Sequence, residues 1–244
     1  MPTRSRSRTR RALRKVSHWL AYQYRVLRRP IITIEGVRIR VGRHMSRRVE
    51  RALSKGGHER HKLQLVGALL SPDDVVLELG TGLGLVSTYC AKRVGSDQVF
   101  AFEADPDLEP CIRETYELNG VEPALDMCAV GPRAGRVTLR RDKHRVSSSV
   151  GRRRAGIRPV EVPGKALNYV VHRFRPTLLI INAGGAEHEL FDGAELATVT
   201  KVLLELSDPV ISPQEADRAR SALSKMGFRE DRGLTTSDHL VLRR

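Results

Sequence analysis

Apolar and polar positions alternate cleanly in Val37-Arg38-Ile39-Arg40-Val41, and the apolar run Ile31-Ile32-Thr33-Ile34 precedes them across Glu35-Gly36. This pattern predicts a β-hairpin over 31–41. Residues 45–70 have a helical pattern interrupted at Gly56-Gly57, and Ser71-Pro72-Asp73-Asp74 reads as a turn. Short apolar runs then alternate with amphipathic stretches. Strands are expected at 75–79, 98–102, about 124–130, 159–162, 178–181, 199–206 and 238–242, the last one antiparallel. Helices are expected at 83–93, 106–119, near 165–173 and from Ser212 to Gly227. Leu178-Leu179-Ile180-Ile181 has no polar alternate, as in a strand buried on both faces. Strands alternating with helices imply a parallel sheet covered on both sides. Local punctuation agrees. Asp105 and Pro106 suit an N-cap and first helical position, and Asn119-Gly120 suits a left-handed C-cap. Ser212-Pro213-Gln214-Glu215 is a capping box, and Ala219, Ala222, Leu223 and Met226 form the apolar face behind it.

Charge divides the chain. The net charge is +15 over 244 residues. Residues 1–29 carry +10 with no acid, residues 131–158 carry +9, and the remainder is slightly acidic at −4. Three segments follow: a basic tail over 1–29, a hairpin and helical lead-in over 30–70, and an α/β domain over 71–244. In the tail, Leu13, Val16, Leu20, Tyr24 and Leu27 recur at helical spacing, so an amphipathic helix is expected over about 10–28, stopped by Pro30. Three readings compete for it: packing on the domain, lying on an anionic membrane surface, or gripping nucleic acid. Residues 131–158 read as a basic excursion with a hairpin at 136–140 and a loop. No run of 18 uncharged apolar residues occurs, and the start lacks a secretory pattern, so a cytoplasmic protein, with peripheral membrane contact through 10–28 as an option, is expected. Cys90, Cys111 and Cys128 are scattered, lack zinc-ligand spacing, and read as buried thiols.

The chemistry concentrates in Val75-Val76-Leu77-Glu78-Leu79-Gly80-Thr81-Gly82-Leu83-Gly84. An apolar strand ends in a carboxylate, passes through three alternate glycines, and enters an apolar helix. Glycine lets backbone turn tightly and approach a ligand, and a helix start offers free N–H groups to a carboxylate. Glu78 is placed for an ammonium group. Glu103 follows the next strand 23 residues after Gly80, at the spacing of a ribose acceptor in doubly wound sheets. Together these features fit S-adenosylmethionine (SAM), with Glu78, Gly80, Thr81, Gly82, Gly84 and Glu103 as cofactor-binding candidates. A dinucleotide site would need G-x-G-x-x-G, but Leu85 holds the third glycine's place and Glu78 would repel a diphosphate.

These motifs resemble the FkbM-type methyltransferase family, a branch of SAM-dependent O-methyltransferases. The likeness runs from about Gly56 to Leu206. It is carried by Glu78–Gly84, Ala101-Phe102-Glu103-Ala104-Asp105-Pro106, Leu118-Asn119-Gly120, Ala129-Val130-Gly131, Ser147-Ser148-Ser149, Gly185-Ala186-Glu187 and Asp192-Gly193-Ala194. Gly57-His58-Glu59 is similar to the family's Gly-x-Glu, which lies near the cofactor. The resemblance implies a class I methyltransferase (Rossmann-like) sheet, mostly parallel with an antiparallel last strand, behind an N-terminal helix and hairpin. It also implies methyl transfer to a hydroxyl of a sugar or small metabolite, and adds Ala129 and Glu59 to the cofactor candidates. At the fourth strand's exit the family's Lys-Ile-Asp-x-Glu-Gly-Ala-Glu is replaced by Ile180-Ile181-Asn182-Ala183-Gly184-Gly185-Ala186-Glu187. Three charged groups are absent there.

A hydroxyl acceptor benefits from a general base, worth about 10²–10⁴-fold. Asn182 does not titrate, which leaves Glu187 and His144 as catalytic candidates beside it, although Glu187 also fits a plain helix-start carboxylate. Three functions remain open: O-methylation of an anionic or sugar-containing acceptor, a SAM-binding adaptor without turnover, and nucleic-acid methylation. The low aromatic content, 5%, offers little stacking for a flipped base. Oligomeric state is open. The arginines of 131–158 follow the third strand, on the side where ligands bind. Replacing Arg152, Arg153 and Arg154 by glutamate is therefore expected to weaken acceptor binding and flatten its salt dependence, and an unchanged salt slope would contradict an anionic acceptor.

Overall fold

A computed structural model describes residues 31–41, 57–140, 149–150, 159–182, 187–206 and 212–244. The tail helix expected over 10–28, the first half of the 45–70 helix, and most of the basic excursion, including His144 and Arg152–Arg154, lie outside the described residues.

The hairpin forms as read, β1 (Ile31–Ile34) antiparallel to β2 (Val37–Arg40). It leads to α1 (Gly57–Leu69). The α/β alternation follows as β3 (Val76–Leu79), α2 (Leu85–Val94), β4 (Val99–Phe102), a 3₁₀ turn at Pro106–Leu108, α3 (Glu109–Asn119) and β5 (Ala124–Asp126). After an excursion come α4 (Leu167–Phe174), β10 (Leu178–Ile181), α5 (Glu187–Leu190), β11 (Lys201–Glu205), α6 (Pro213–Lys225), β12 (Arg229–Glu230) and β13 (His239–Arg243). The main sheet has the order β12-β13-β11-β10-β3-β4-β5, and only β13 runs against the other six strands. This is the Rossmann-like, doubly wound α/β sheet with its antiparallel last strand. Strand order reverses between β3 and β10, and ligands bind beyond the strand ends at such a switch point.

Strand periodicity divides the core although the runs look uniformly apolar. Val76, Leu178, Ile180 and Leu203 face α1, α2, α3 and the hairpin, where Leu63, Val66, Val86 and Ile112 meet them. Leu77, Leu79, Leu179, Ile181, Val202 and Leu204 face α4 and α6, against Val170, Val171, Ala219 and Leu223. The caps form as expected. Asp105 accepts from the Asp107 amide, Gly120 takes φ 65°, and Ser212 and Glu215 cap reciprocally.

Two expectations are corrected. The single strand expected over 124–130 is two strands, β5 in the main sheet and β6 (Ala129–Gly131) in another. The break occurs where the Asp126 carbonyl accepts from both Glu103 N and Cys128 N, each at 3.1 Å, which turns the chain out of the sheet. Cys128 is buried at this turn, outside any strand. The strand expected over 159–162 runs on to Ala166 and also leaves the main sheet. β7 (Gly135–Arg140), β8 (Ser149–Val150) and β9 (Pro159–Ala166) join β6 in a four-stranded sheet, order β6-β9-β7-β8. No helix among the described residues is long and apolar enough to cross a membrane.

One buried pair ties together the strand ends opposite the switch-point tips. Lys201 pairs with Asp74, whose oxygens also accept from Thr177 Oγ1 (2.7 Å) and Ser71 N (2.6 Å). Lys201 also donates to Leu69 O at 3.0 Å and Ser71 Oγ at 3.1 Å. Removing one partner of a buried pair strands the other charge. Asp74→Ala should lower the unfolding free energy by about 3–5 kcal/mol in urea denaturation, while a loss of about 0–1 kcal/mol would mark the pair as no better than a surface one.

Candidate functional site

The tips of β3, β4, β5, β10 and β11 form one edge, and the glycine loop lies across its middle. Gly80 N and Thr81 N both donate to Phe102 O, at 2.8 and 3.1 Å, which pins the loop over the exit of β4. Gly82 and Gly84 take φ 60° and 75°. At Gly84 a Cβ would stand 3.0 Å from a Tyr116 ring carbon and 3.1 Å from Ile112 Cγ2, so glycine is required by contact as well as by angle. Gly84 also caps α2, whose start therefore points its amides toward the loop.

Beneath the loop lies Glu78, 3% exposed, on the otherwise apolar face of β3. Thr81 Oγ1 donates to it at 2.6 Å. Thr81 Oγ1 is 2.8 Å from Ser87 Oγ, which is 2.9 Å from the Tyr116 hydroxyl. Each hydroxyl has one proton, so with Thr81 donating to Glu78 the chain runs Tyr116 to Ser87 to Thr81 to Glu78. Burial raises the Glu78 pKa, and the Thr81 hydrogen bond and the Lys62 charge counter it. The same burial, with Glu78 nearby, raises the Tyr116 phenol.

Glu103, 6% exposed, occupies the tip of β4. Its Oε2 accepts from Gly82 N and its Oε1 from Asp105 N, both at 2.8 Å. A carboxylate offers about four lone-pair sites, more than its backbone partners occupy, so capacity remains for a hydroxyl donor. Burial pushes its pKa up to about 7, opposed by those backbone amides and assisted by the Asp105 charge. Glu78, Gly80, Thr81, Gly82, Gly84 and Glu103 are thus brought together at one place, as their spacing predicts.

The remaining candidates divide. Asn182 comes to the same edge, its amide donating to Leu79 O at 2.8 Å. The Ala129 side chain is buried against Leu139 and Val162 in the second sheet. Glu59 lies in the first turn of α1 and Glu187 opens α5, but both side chains, like His144, fall outside the described residues.

Sequence reasoning missed two groups. At the β5 tip, Asp126 pairs with Lys165 of β9, whose ammonium is 5.9 Å from the centre of the Phe102 ring. Asp126 also raises the neighbouring Cys128 thiol, which burial has already pushed up, to about 12. On the other side, Lys62, Glu205 and His239 join Glu78, Gly80 and Asn182 around a small pocket. Lys62 Nζ is 3.2 Å from Glu205 Oε2. Three strands therefore run out in glutamate, at Glu78, Glu103 and Glu205, and the apolar run Lys201-Val202-Leu203-Leu204-Glu205 carries the signal that would have found the third.

A family model described as the methyltransferase FkbM domain matches residues 77–230, more than half of the chain. A curated probable ribosomal RNA small subunit methyltransferase A from Thermococcus onnurineus (strain NA1) is 46% identical over 55 residues, covering 22% of this chain and 20% of that protein. The chain thus matches about a fifth of that relative's length. Among solved structures, ribosomal protein L11 methylase from Lactobacillus delbrueckii subsp. bulgaricus is 13% identical, with a TM-score of 0.48 over 77% of each chain. The tRNA (uracil-54, C5)-methyltransferase of Pyrococcus abyssi, in complex with S-adenosyl-L-homocysteine, is also 13% identical, with a TM-score of 0.49 over 88% of this chain and 44% of that one.

The Glu103 site predicts a pH dependence. The folded pKa, about 7, lies above the ordinary 4.5, so this group disfavours the folded state progressively as pH rises from about 4.5 to about 7. Hydroxyl donors prefer the ionised form, so calorimetry should show SAM affinity rising as pH passes through about 7. Glu103→Gln should bind weakly with no such rise, and an equal pH dependence in that variant would exclude Glu103 as the source.

Proposed function

The chain belongs to the methyltransferase FkbM domain family and is a SAM-dependent methyltransferase; from that premise we propose that it methylates a hydroxyl oxygen on an anionic or sugar-containing acceptor. The observation that carries this reading is the joining of the loop to both sides of the switch point. Gly82 bonds to Glu103 on one side, and Gly80 lines a pocket with Asn182 on the other. SAM supplies a methyl carbon already activated by its sulfonium. The chain's own task is to hold acceptor, methyl and sulfur in line and exclude water, which supplies about 7–11 kcal/mol.

The residues present fit the cofactor. Loop amides at the start of α2 suit the methionine carboxylate, with Glu78 beneath the loop supplying negative charge toward the ammonium. Glu103 would accept from the ribose hydroxyls with its remaining lone-pair capacity. Asp126, at the tip of β5 beside β4, would border the base, and the tips of β10 and β11 on the other side of the loop would line the methyl and acceptor side. An oxygen acceptor is favoured by the aliphatic and charged lining of that pocket and by the chain's low aromatic content.

Methylation of RNA is a second reading, favoured by the net charge of +15 and by the short match to a probable ribosomal RNA methyltransferase. One experiment separates them. The full chain is titrated with SAM in a calorimeter, then incubated with tritiated-methyl SAM and fractionated cell extract. The expected result is SAM binding, with label appearing as ribonuclease-resistant methyl ether in the sugar-phosphate, nucleotide-sugar or glycan fraction. Label confined to ribonuclease-sensitive material would establish the second reading, and label in protein would overturn both.

A further inference from the structure

The pocket beyond the loop holds more charge than the cofactor's own contacts require. Its lip is formed by Asn182 and Glu205, both half-buried, at the tips of β10 and β11. Its floor is Lys62, Glu78 and His239, which are 8%, 3% and 0% exposed. Lys62 reaches from α1 and lies between two carboxylates. It is 3.2 Å from Glu205, and near enough to Glu78 for its charge to oppose the effect of burial there. His239 is the direct cross-strand partner of Glu205 in the β11–β13 ladder, and the His61 ring meets it edge-on at 5.7 Å. Desolvating an ammonium and carboxylates costs several kcal/mol per ion, and apolar side chains of like volume would fold as well or better. Charge gathered at the switch point, in a pocket that also contains the first glycine of the loop, points to chemistry.

We infer that Glu205 is the proton acceptor for the methyl acceptor's hydroxyl, with Lys62 as the residue that positions and holds its charge. The inference rests on the SAM-binding reading and extends it to the acceptor side. Asn182 lacks a titratable group, so the base enters from the neighbouring strand. The acceptor oxygen seats at the lip between Asn182 and Glu205. Its O–H bond breaks and the proton passes to a Glu205 carboxylate oxygen. The freed oxygen pair forms the new bond to the methyl carbon, and the sulfur–carbon pair stays on sulfur as a neutral thioether. Around Glu205 stand Lys62 from α1, Glu78 from β3 and His239 from β13, and His61 of α1 lies against His239. Lys62 pairs with Glu205 at 3.2 Å.

The test uses the full-length chain, SAM in a calorimeter, and tritiated-methyl transfer from saturating SAM into a boiled small-molecule cell extract. Wild type should bind SAM and transfer label. Glu205→Gln should bind SAM as wild type does but transfer about 10²- to 10⁴-fold more slowly. Asn182→Asp added to Glu205→Gln should recover part of the rate, because it returns a carboxylate to the same lip, and a purely structural Glu205 would show no such rescue. Lys62→Met should slow transfer, and Lys62→Arg, which keeps a cation beside Glu205, should retain most of the rate. Transfer by Glu205→Gln close to the wild-type rate overturns the assignment, as does a wild type that binds SAM yet transfers to nothing in the extract. Failure of wild type to bind SAM would instead fail the cofactor reading itself.

Discussion

The site depends on a buried carboxylate accepting a backbone amide. Glu103 Oε2 holds Gly82 N at 2.8 Å, and through that bond the tip of β4 fixes the middle of the loop that leaves β3. The bond forms only because Gly82 can take a positive φ, because Phe102 O anchors the two residues before it, and because Asp105 N occupies the other carboxylate oxygen. Together these hold an anion in a nearly dry place with its remaining lone pairs directed by the fold. Preorganisation of this kind lets a ligand bind without first ordering the chain.

The second buried carboxylate solves a related problem differently. Glu78 lies within an apolar layer, where a lone charge would be costly. A queue of hydroxyls from Tyr116, Ser87 and Thr81 ends on it, and Lys62 supplies positive charge from α1. The relay reaches α3, so the helix that fills the space under Gly84 also stiffens the loop above it. One cluster thus links α1, α2, α3 and β3, and the elements that build the core also set the position of the glycine loop.

Much of this was legible in the sequence. The glycine spacing and the two strand-ending glutamates pointed to six residues that the fold brings to one place, because a strand–loop–helix unit fixes positions locally. The main-sheet elements were legible for the same reason, since their periods and caps are local signals. The split of 124–130 was not, because the Asp126 carbonyl that turns the chain is held partly by Glu103, just past β4 and distant in sequence. The four-stranded second sheet was missed because β6 and β9 lie far apart in sequence and their pairing leaves no periodic mark. Lys62, Glu205 and His239 come from three distant segments, and only the fold brings them to one pocket. Family resemblance drew attention to the fourth strand's exit, where Asn182 stands, and away from the fifth, where Glu205 does.

The Gly82 amide is the direct reporter of the central claim. In a ¹⁵N-labelled full-length sample, SAM should shift the Gly82 and Asp105 amide resonances more than those of residues at the opposite ends of the strands, because Glu103 must then divide its oxygens between these amides and the ribose hydroxyls. Saturating SAM that leaves both resonances in place would contradict the account.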